Sequence, residues 1–162
     1  MYQSAIATLI AVLCLGTSDA IAARVLVAEL LARPPAAAGE PSMSALALEA
    51  CLTRAIALDH TGLAVDGKVV AVDRLAAEGM FLQNQLDAEM PALNGYDEEA
   101  LKDFQRRVIR HEDVAQKFRN DFAAYQKEQR SYDDAIAEFE RDCSQRFSAA
   151  DLATVKAKLG LK

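Results

Sequence analysis

Aromatic residues in the second half of the chain recur every seven positions, and this spacing constrains the fold more than any other feature. The row consists of Phe104, Phe118, Tyr125, Tyr132 and Phe139, interrupted only by His111. An apolar residue follows most of them four positions later, and the last of these followers is Cys143. A repeat of seven divided into four and three is the stripe that one helix presents to another. The spacing therefore predicts a long helix packed against a partner helix.

The preceding segment repeats in sevens as well, which supplies the partner. Leucine or valine followed by aspartate recurs in phase at 58–59, 65–66, 72–73 and 86–87, and Cys51 lies one repeat earlier. Residues 91–95, Pro-Ala-Leu-Asn-Gly, are the clearest turn in the chain. We therefore expect an all-α fold. Its centre is a long antiparallel two-helix coiled-coil hairpin over residues 44–146, with the turn at 91–96.

One stretch of the first long segment also fits a different structure. Residues 63–72 read as a β-hairpin around Asp66-Gly67, because apolar residues flank an Asp-Gly turn. An isolated two-stranded hairpin is marginally stable, and no third strand is indicated nearby. Helix is the favoured interpretation, and the local β-hairpin stays open.

Two short elements are expected to flank the hairpin, after a targeting segment. Residues 1–22 resemble a signal peptide, with an apolar run at Ile6–Leu15 and a small-x-small cleavage site at Ala20-Ile21-Ala22. The alternative is a membrane anchor that retains residues 5–32. Residues 23–43 predict a short helix and a Pro/Ala linker, and residues 147–162 a short C-terminal helix.

Cleavage would remove Cys14 and leave Cys51 and Cys143 in an oxidising compartment, where a disulfide is the default. Two buried free thiols are the alternative. If the cysteines face each other, position i of the first helix faces position 194 − i of the second. Leu58 then meets Ile136 and Val72 meets Phe122. The heptad phase, the turn and the cysteines thus agree on one alignment.

Three groups of residues are candidate sites. The alignment places Gln83 opposite His111, as a polar pair within the apolar seam that fixes the alignment of the two helices. Ile56, Leu63 and Val70 form a further apolar line beside the seam, which is a candidate interface if nothing covers it. The repeated aspartates read as a solvated flank of the seam, with a basic partner or a cation as the alternative.

The charge of the chain and the spacing of its reactive residues argue against several classes of function. The net charge is −6 and no basic stripe is present, so nucleic-acid binding is not expected. The two histidines lie far apart, and no nucleophile–base set or phosphate-binding glycine loop can be specified. We expect no metal, no cofactor and no catalysis.

The segment from Leu48-Glu49-Ala50-Cys51 to Cys143, with its sevenfold aromatic spacing and a Ser-x-x-Asp-Leu tail, resembles a loose group of bacterial exported proteins. These are alanine-rich helical hairpins with a cysteine at the base of each arm and Tyr-Asn pairs in the second arm. Here Arg119, Gln126, Asp133 and Glu140 stand where that group has Asn. The resemblance implies an envelope location and no established activity.

The expected function is that of an exported structural or protein-binding module in a bacterial envelope, periplasmic or secreted, with a protein partner or self-association. The alternatives are a subunit of an envelope complex anchored in the inner membrane and a holdase-like periplasmic chaperone. Contact with a membrane is expected only if residues 5–32 are retained.

Overall fold

A computed structural model describes residues 25–37, 39–93, 95 and 97–161. Four α-helices follow one another in this part of the chain: α1 (Leu26–Leu31), α2 (Ala45–Glu89), α3 (Glu98–Asp142) and α4 (Ala149–Leu159). A 3-10 turn, Met90–Ala92, extends α2. Among the described residues there is no strand, only an isolated parallel bridge between Met43 and Phe147. The all-α prediction is confirmed at this level.

Capping side chains fix where the three longer helices begin. The Ser44 hydroxyl accepts the Ala47 backbone N–H at 3.2 Å, and the Asp97 carboxylate accepts that of Ala100 at 2.9 Å. Ser148 accepts the Asp151 N–H at 3.0 Å, as expected from the Ser-x-x-Asp pattern. Each bond satisfies a backbone donor that has no partner within its own helix.

Residues 63–72 belong to α2, so the β-hairpin alternative is wrong. The helix continues through Gly67, whose backbone leaves open space where a Cβ would stand. A glycine inside a helix costs about 1 kcal/mol relative to alanine. Burial of the neighbouring apolar residues Val65 and Val72 against the rest of the fold outweighs that cost.

The long helices α2 and α3 pack along each other, while α1 and α4 both pack on α2. We call residues 26–65 together with 125–159 the base, and residues 66–124 the distal half. One continuous core fills the base, and its largest fully buried side chains are Phe139, Phe147, Leu26, Leu30, Leu48 and Leu52. The remaining buried apolar residues, Val72, Leu75, Leu82 and Leu86, lie on α2 in the distal half.

An irregular strap, residues 32–43, holds α1 against the end of α3. The Arg33 guanidinium donates to the carbonyl of Cys143, and the Ala36 N–H donates to the carbonyl of Phe147 at 2.9 Å. The Met43 N–H donates to the carbonyl of Arg146 at 2.8 Å. Backbone groups of both segments are therefore paired with each other, where neither forms a helix.

Residues 1–24, 38, 94, 96 and 162 lie outside the described residues. The predicted signal peptide, its cleavage site and Cys14 fall within this part of the chain, as does Asn94 of the predicted turn. Residues 25–32 of the alternative anchor are described, and α1 lies within them. Leu26 and Leu30 of this helix are 1% and 0% exposed in the core of the base.

Candidate interaction surface

The two predicted cysteines form a disulfide in the base. The Sγ atoms of Cys51 and Cys143 are bonded, and their Cα atoms lie 5.8 Å apart, well within the range that a disulfide spans. Both residues are buried, at 8% and 2% exposure. The bond joins the first turns of α2 to the residue that ends α3.

Gln83 and His111, the predicted polar pair, are both half-buried. The Gln83 side-chain amide donates to the carboxylate of Asp87 at 2.8 Å, one turn further along the same helix. Gln83 therefore has a partner within α2 rather than across the seam. A glutamine reaches a residue four positions away on its own helix without any tertiary constraint, and the heptad pattern could not exclude that choice.

The predicted interface residues Ile56, Leu63 and Val70 lie in a line along α2. Ile56, next to the base core, is half-buried, whereas Leu63 and Val70 are 62% and 69% exposed. No described helix packs over the latter two. The apolar line is thus covered at its beginning and open toward the distal half.

The repeated aspartates have different surroundings in the fold. Asp59 accepts two backbone N–H groups, those of Leu26 at 2.7 Å and Val27 at 3.2 Å, and so caps the N-terminus of α1. Val25, at the N-cap position itself, provides no side-chain cap. Sequence analysis missed this role. Two features of the sequence could have indicated it. No Ser, Thr, Asp or Asn directly precedes the predicted helix to act as its N-cap, and α2 carries a row of aspartates that can accept its amides.

The aromatic row of α3 is covered only in part. Tyr132 and Phe139 are buried in the base, whereas Phe118, Phe122 and Tyr125 are half-buried. The rings of Phe118 and Phe122 stack with centroids 5.6 Å apart, and those of Phe122 and Tyr125 lie 6.3 Å apart. An apolar aromatic strip is therefore only partly withdrawn from water beyond the base.

The phenol of Tyr125 lies among carboxylates of both long helices. Burial raises its pKa above the ordinary value, and the negative charges of Asp133, Asp66 and Asp73 raise it further. Two of these three aspartates belong to the repeated row on α2. The row therefore makes the surface between the long helices electronegative as well as aromatic.

A shallow depression of about 330 Å³ lies at the tip, where α2 connects to α3. Its charged side chains are Glu89, Asp97, Asp103 and Arg107. Arg107 pairs with Glu89, Asp97 caps α3, and Asp103 pairs with Arg106. Only the Arg107–Glu89 pair joins α2 to α3, and the other two contacts lie within the first turns of α3.

Two further findings concern the described part of the chain. No group of three or more His, Cys, Asp or Glu side chains there is arranged to hold a metal ion. No helix of that part combines the length and the apolarity needed to cross a membrane. The open apolar line, the aspartate row and the aromatic strip are the surface features that follow the heptad spacing.

Comparison with known proteins gives no relative: no family model, no curated protein and no solved structure matches the chain. Function is accordingly inferred from the contacts of this chain alone.

Proposed function

We propose that the protein is an exported structural or protein-binding module of the bacterial envelope, with no catalytic role. Its body is an antiparallel coiled-coil hairpin made by α2 and α3 and closed at the base by Cys51–Cys143. The open part of the apolar line, Leu63 and Val70, is the surface for a protein partner. The exposure of these two residues, one heptad apart on a long helix, is the observation that carries the proposal.

The cross-helix ion pairs support the antiparallel alignment. Arg54, which should face position 140, pairs with Glu138 at 3.0 Å and Asp142 at 2.9 Å. Lys68, which should face position 126, pairs with Glu128. A Cβ placed on Gly79 would lie 3.8 Å from Val114, one position from the expected residue 115. These contacts support the alignment that the cysteines define, whereas Arg110 pairs with Glu78 at 2.9 Å, six positions from the expected residue 84.

The disulfide supports export. Disulfides persist in oxidising compartments such as the periplasm and are rare in the cytosol. Removal of the first 22 residues would leave Ala23 close to Val25, the first described residue, and would keep α1 intact. The intact mass of protein extracted from the envelope tests this directly. We expect a chain that begins at Ala23 and gains two alkyl groups only after reduction.

The binding role is tested by a photo-cross-linking amino acid placed at Val70 in cells. Asp113, an exposed residue of α3 with no described contact, is the matched control position. We expect Val70 to give one cross-linked species of fixed mass, and Asp113 to give none. Equal cross-linking at both positions, or none at Val70, would contradict the proposal.

A holdase-like chaperone is a second candidate, favoured by the half-buried rings of Phe118, Phe122 and Tyr125. Such a protein grips unfolded clients through exposed apolar and aromatic surface. It would suppress the aggregation of a heat-denatured model client at equimolar amounts. A module with one fixed partner would not, and this comparison separates the two candidates.

A further inference from the structure

One face of α2 alternates acidic and aliphatic residues at heptad spacing. It comprises Asp59, Leu63, Asp66, Val70 and Asp73, separated by four, three, four and three positions, and we call it the mixed strip. Residues at this spacing lie above one another on a helix surface. From Asp59 to Asp73 the strip runs for about 21 Å. An ordinary binding surface for an apolar helix would not place a carboxylate between its two aliphatic side chains and another on either side of them.

One end of the strip already contacts a helix. Helix α1 packs on α2, and its positively polarised N-terminus lies at Asp59, the first residue of the strip. Beyond Asp59 no described helix covers the strip. Leu63 and Val70 are more than half exposed, and Asp73 is exposed without an ion pair or hydrogen bond to any described residue. The open part thus continues an existing helix–helix contact.

The negative charge of this surface indicates which kind of partner can bind to the open part. Asp66 and Asp73 both act on the pKa of Tyr125, so the wall toward α3 is electronegative too, and Asp133 adds to it. A second copy of this acidic chain, strip to strip, would bring carboxylates against carboxylates. Residues 1–24 of the chain itself carry one arginine and one aspartate, and thus little net charge to offer. An occupant with several cations, spaced like the aspartates, satisfies the surface better than either.

We propose that the mixed strip binds a cationic amphipathic helix, whose aliphatic side chains contact Leu63 and Val70 and whose Lys or Arg side chains lie beside Asp66 and Asp73. The bound helix lies in line with α1. This proposal rests on the proposed function as a protein-binding module, and it names the chemical class of the partner.

The test uses the disulfide-bonded chain that begins at Ala23 and a fluorescein-labelled helical peptide of about five turns. The peptide has Leu at the a and d positions of a heptad and Lys at e and g. A second peptide carries Glu in place of each Lys. Fluorescence anisotropy gives the dissociation constants, and circular dichroism verifies the fold of each variant.

Two pairs of variants separate the strip from general attraction to an acidic protein. Asp73→Lys and its control Asp113→Lys change the net charge equally, on α2 and on α3. Val70→Ser and its control Ile109→Ser each remove an aliphatic side chain that is more than half exposed. We expect binding of the Lys peptide to weaken about fivefold in D73K and about tenfold in V70S. Both controls should bind as the unaltered chain does.

Equal losses in D73K and D113K, or equal binding of the Lys and Glu peptides, would overturn the proposal. Should D73K or V70S unfold, Asp73→Asn and Val70→Ala provide the same comparison with smaller changes. The cross-linking experiment at Val70 remains an independent readout. A specific cross-link in cells without a preference for the Lys peptide would refute the cationic helix and leave the binding module standing. Failure of both would refute both.

Discussion

The base and the distal half share one heptad pattern but differ in how well that pattern is buried. In the base, α1 and α4 pack on α2, and Tyr132, Ile136 and Phe139 of α3 are buried in the same core. In the distal half the same row continues as Phe104 and Phe118, which are only half-buried. A two-helix pair shields one stripe of each helix and leaves its edges in water. Burial thus depends on the number of packed helices and not on the repeat alone.

This difference predicts unequal local stability. A segment with few buried apolar contacts opens at a lower free-energy cost than a packed core. The distal half should therefore exchange its amide hydrogens faster than the base, although both are helical.

Removal of the disulfide should cost the most. The double change Cys51→Ser and Cys143→Ser opens a loop that spans 92 positions, and the chain-entropy model assigns about 4–5 kcal/mol to such a loop. We expect a loss of this size in the free energy of unfolding by urea. The base core should still form, because its apolar contacts do not involve sulfur alone. A loss below about 1 kcal/mol would show that the core, not the disulfide, closes the base.

Two phenylalanines of the same heptad row test the contrast in burial. Phe139 is 1% exposed in the base core, and Phe118 is half-buried in the distal half. Phe139→Ala should lower the free energy of unfolding by about 3–5 kcal/mol, because it leaves a cavity among packed side chains. Phe118→Ala should lower it by about 1–2 kcal/mol, because water already reaches that ring. Equal losses in urea unfolding would mean that the distal half is as well packed as the base.

The sequence predicted the regular part of this fold and missed the irregular part. A seven-residue repeat reports a local property, the face that a helix buries, so the two long helices followed from it. The Cys51–Cys143 pairing followed instead from the two cysteines that signal cleavage would leave in an oxidising compartment. The strap carries no repeat, and its bonds, such as Ala36 to Phe147, join residues more than a hundred positions apart. Nothing in the spacing of residues indicates such contacts. Heptad spacing also does not indicate whether a third helix covers the edges of a helix pair. That coverage determines how exposed Val70 and Phe118 are.

Substitution of Asp59 tests whether its cap on the N-terminus of α1 stabilises the base. Asp59→Ala removes the acceptor of the Leu26 and Val27 amides and should cost about 1–2 kcal/mol. The loss should be local, so hydrogen exchange of these two amides should accelerate before that of α3. Asp73→Ala is the control, because Asp73 lies two heptads further along the same face and caps no helix. Similar losses of stability in both variants would mean that the effect comes from removing a negative charge and not from removing the cap.

Two glycine-to-alanine substitutions, one within α2 and one after α4, should change the stability of the protein in opposite directions. Gly67 lies in helical backbone with open space at the Cβ position, so Gly67→Ala should stabilise the protein by up to about 1 kcal/mol. Gly160 ends α4 in the base with a φ of +67°, a conformation that disfavours side chains. Gly160→Ala should destabilise by about 1 kcal/mol. Thermal unfolding of both variants measures the signs. A loss in Gly67→Ala would reveal a contact that requires the glycine, such as a closely packed partner.

Tyr125 lies at the border between the two halves, and its titration gives the smallest and most local readout. Burial and then Asp133, Asp66 and Asp73 hold the pKa of its phenol above the unfolded value of about 10. The folded chain therefore keeps the phenolic proton to a higher pH than the unfolded chain does. This contribution to stability is complete below pH 10 or so and is lost as the pH rises through the folded pKa.

Tyr125→Phe should accordingly flatten the fall in the free energy of unfolding above about pH 10, relative to the unaltered chain. Asp73→Asn should flatten it only in part, because burial is the largest cause of the shift. If D73N instead abolished the difference, charge would be the main cause, and Tyr125 would belong to the open distal half. Identical pH profiles for the unaltered chain and Tyr125→Phe would mean that the phenol is as well hydrated in the folded chain as in the unfolded one. The core of the base would then end before Tyr125.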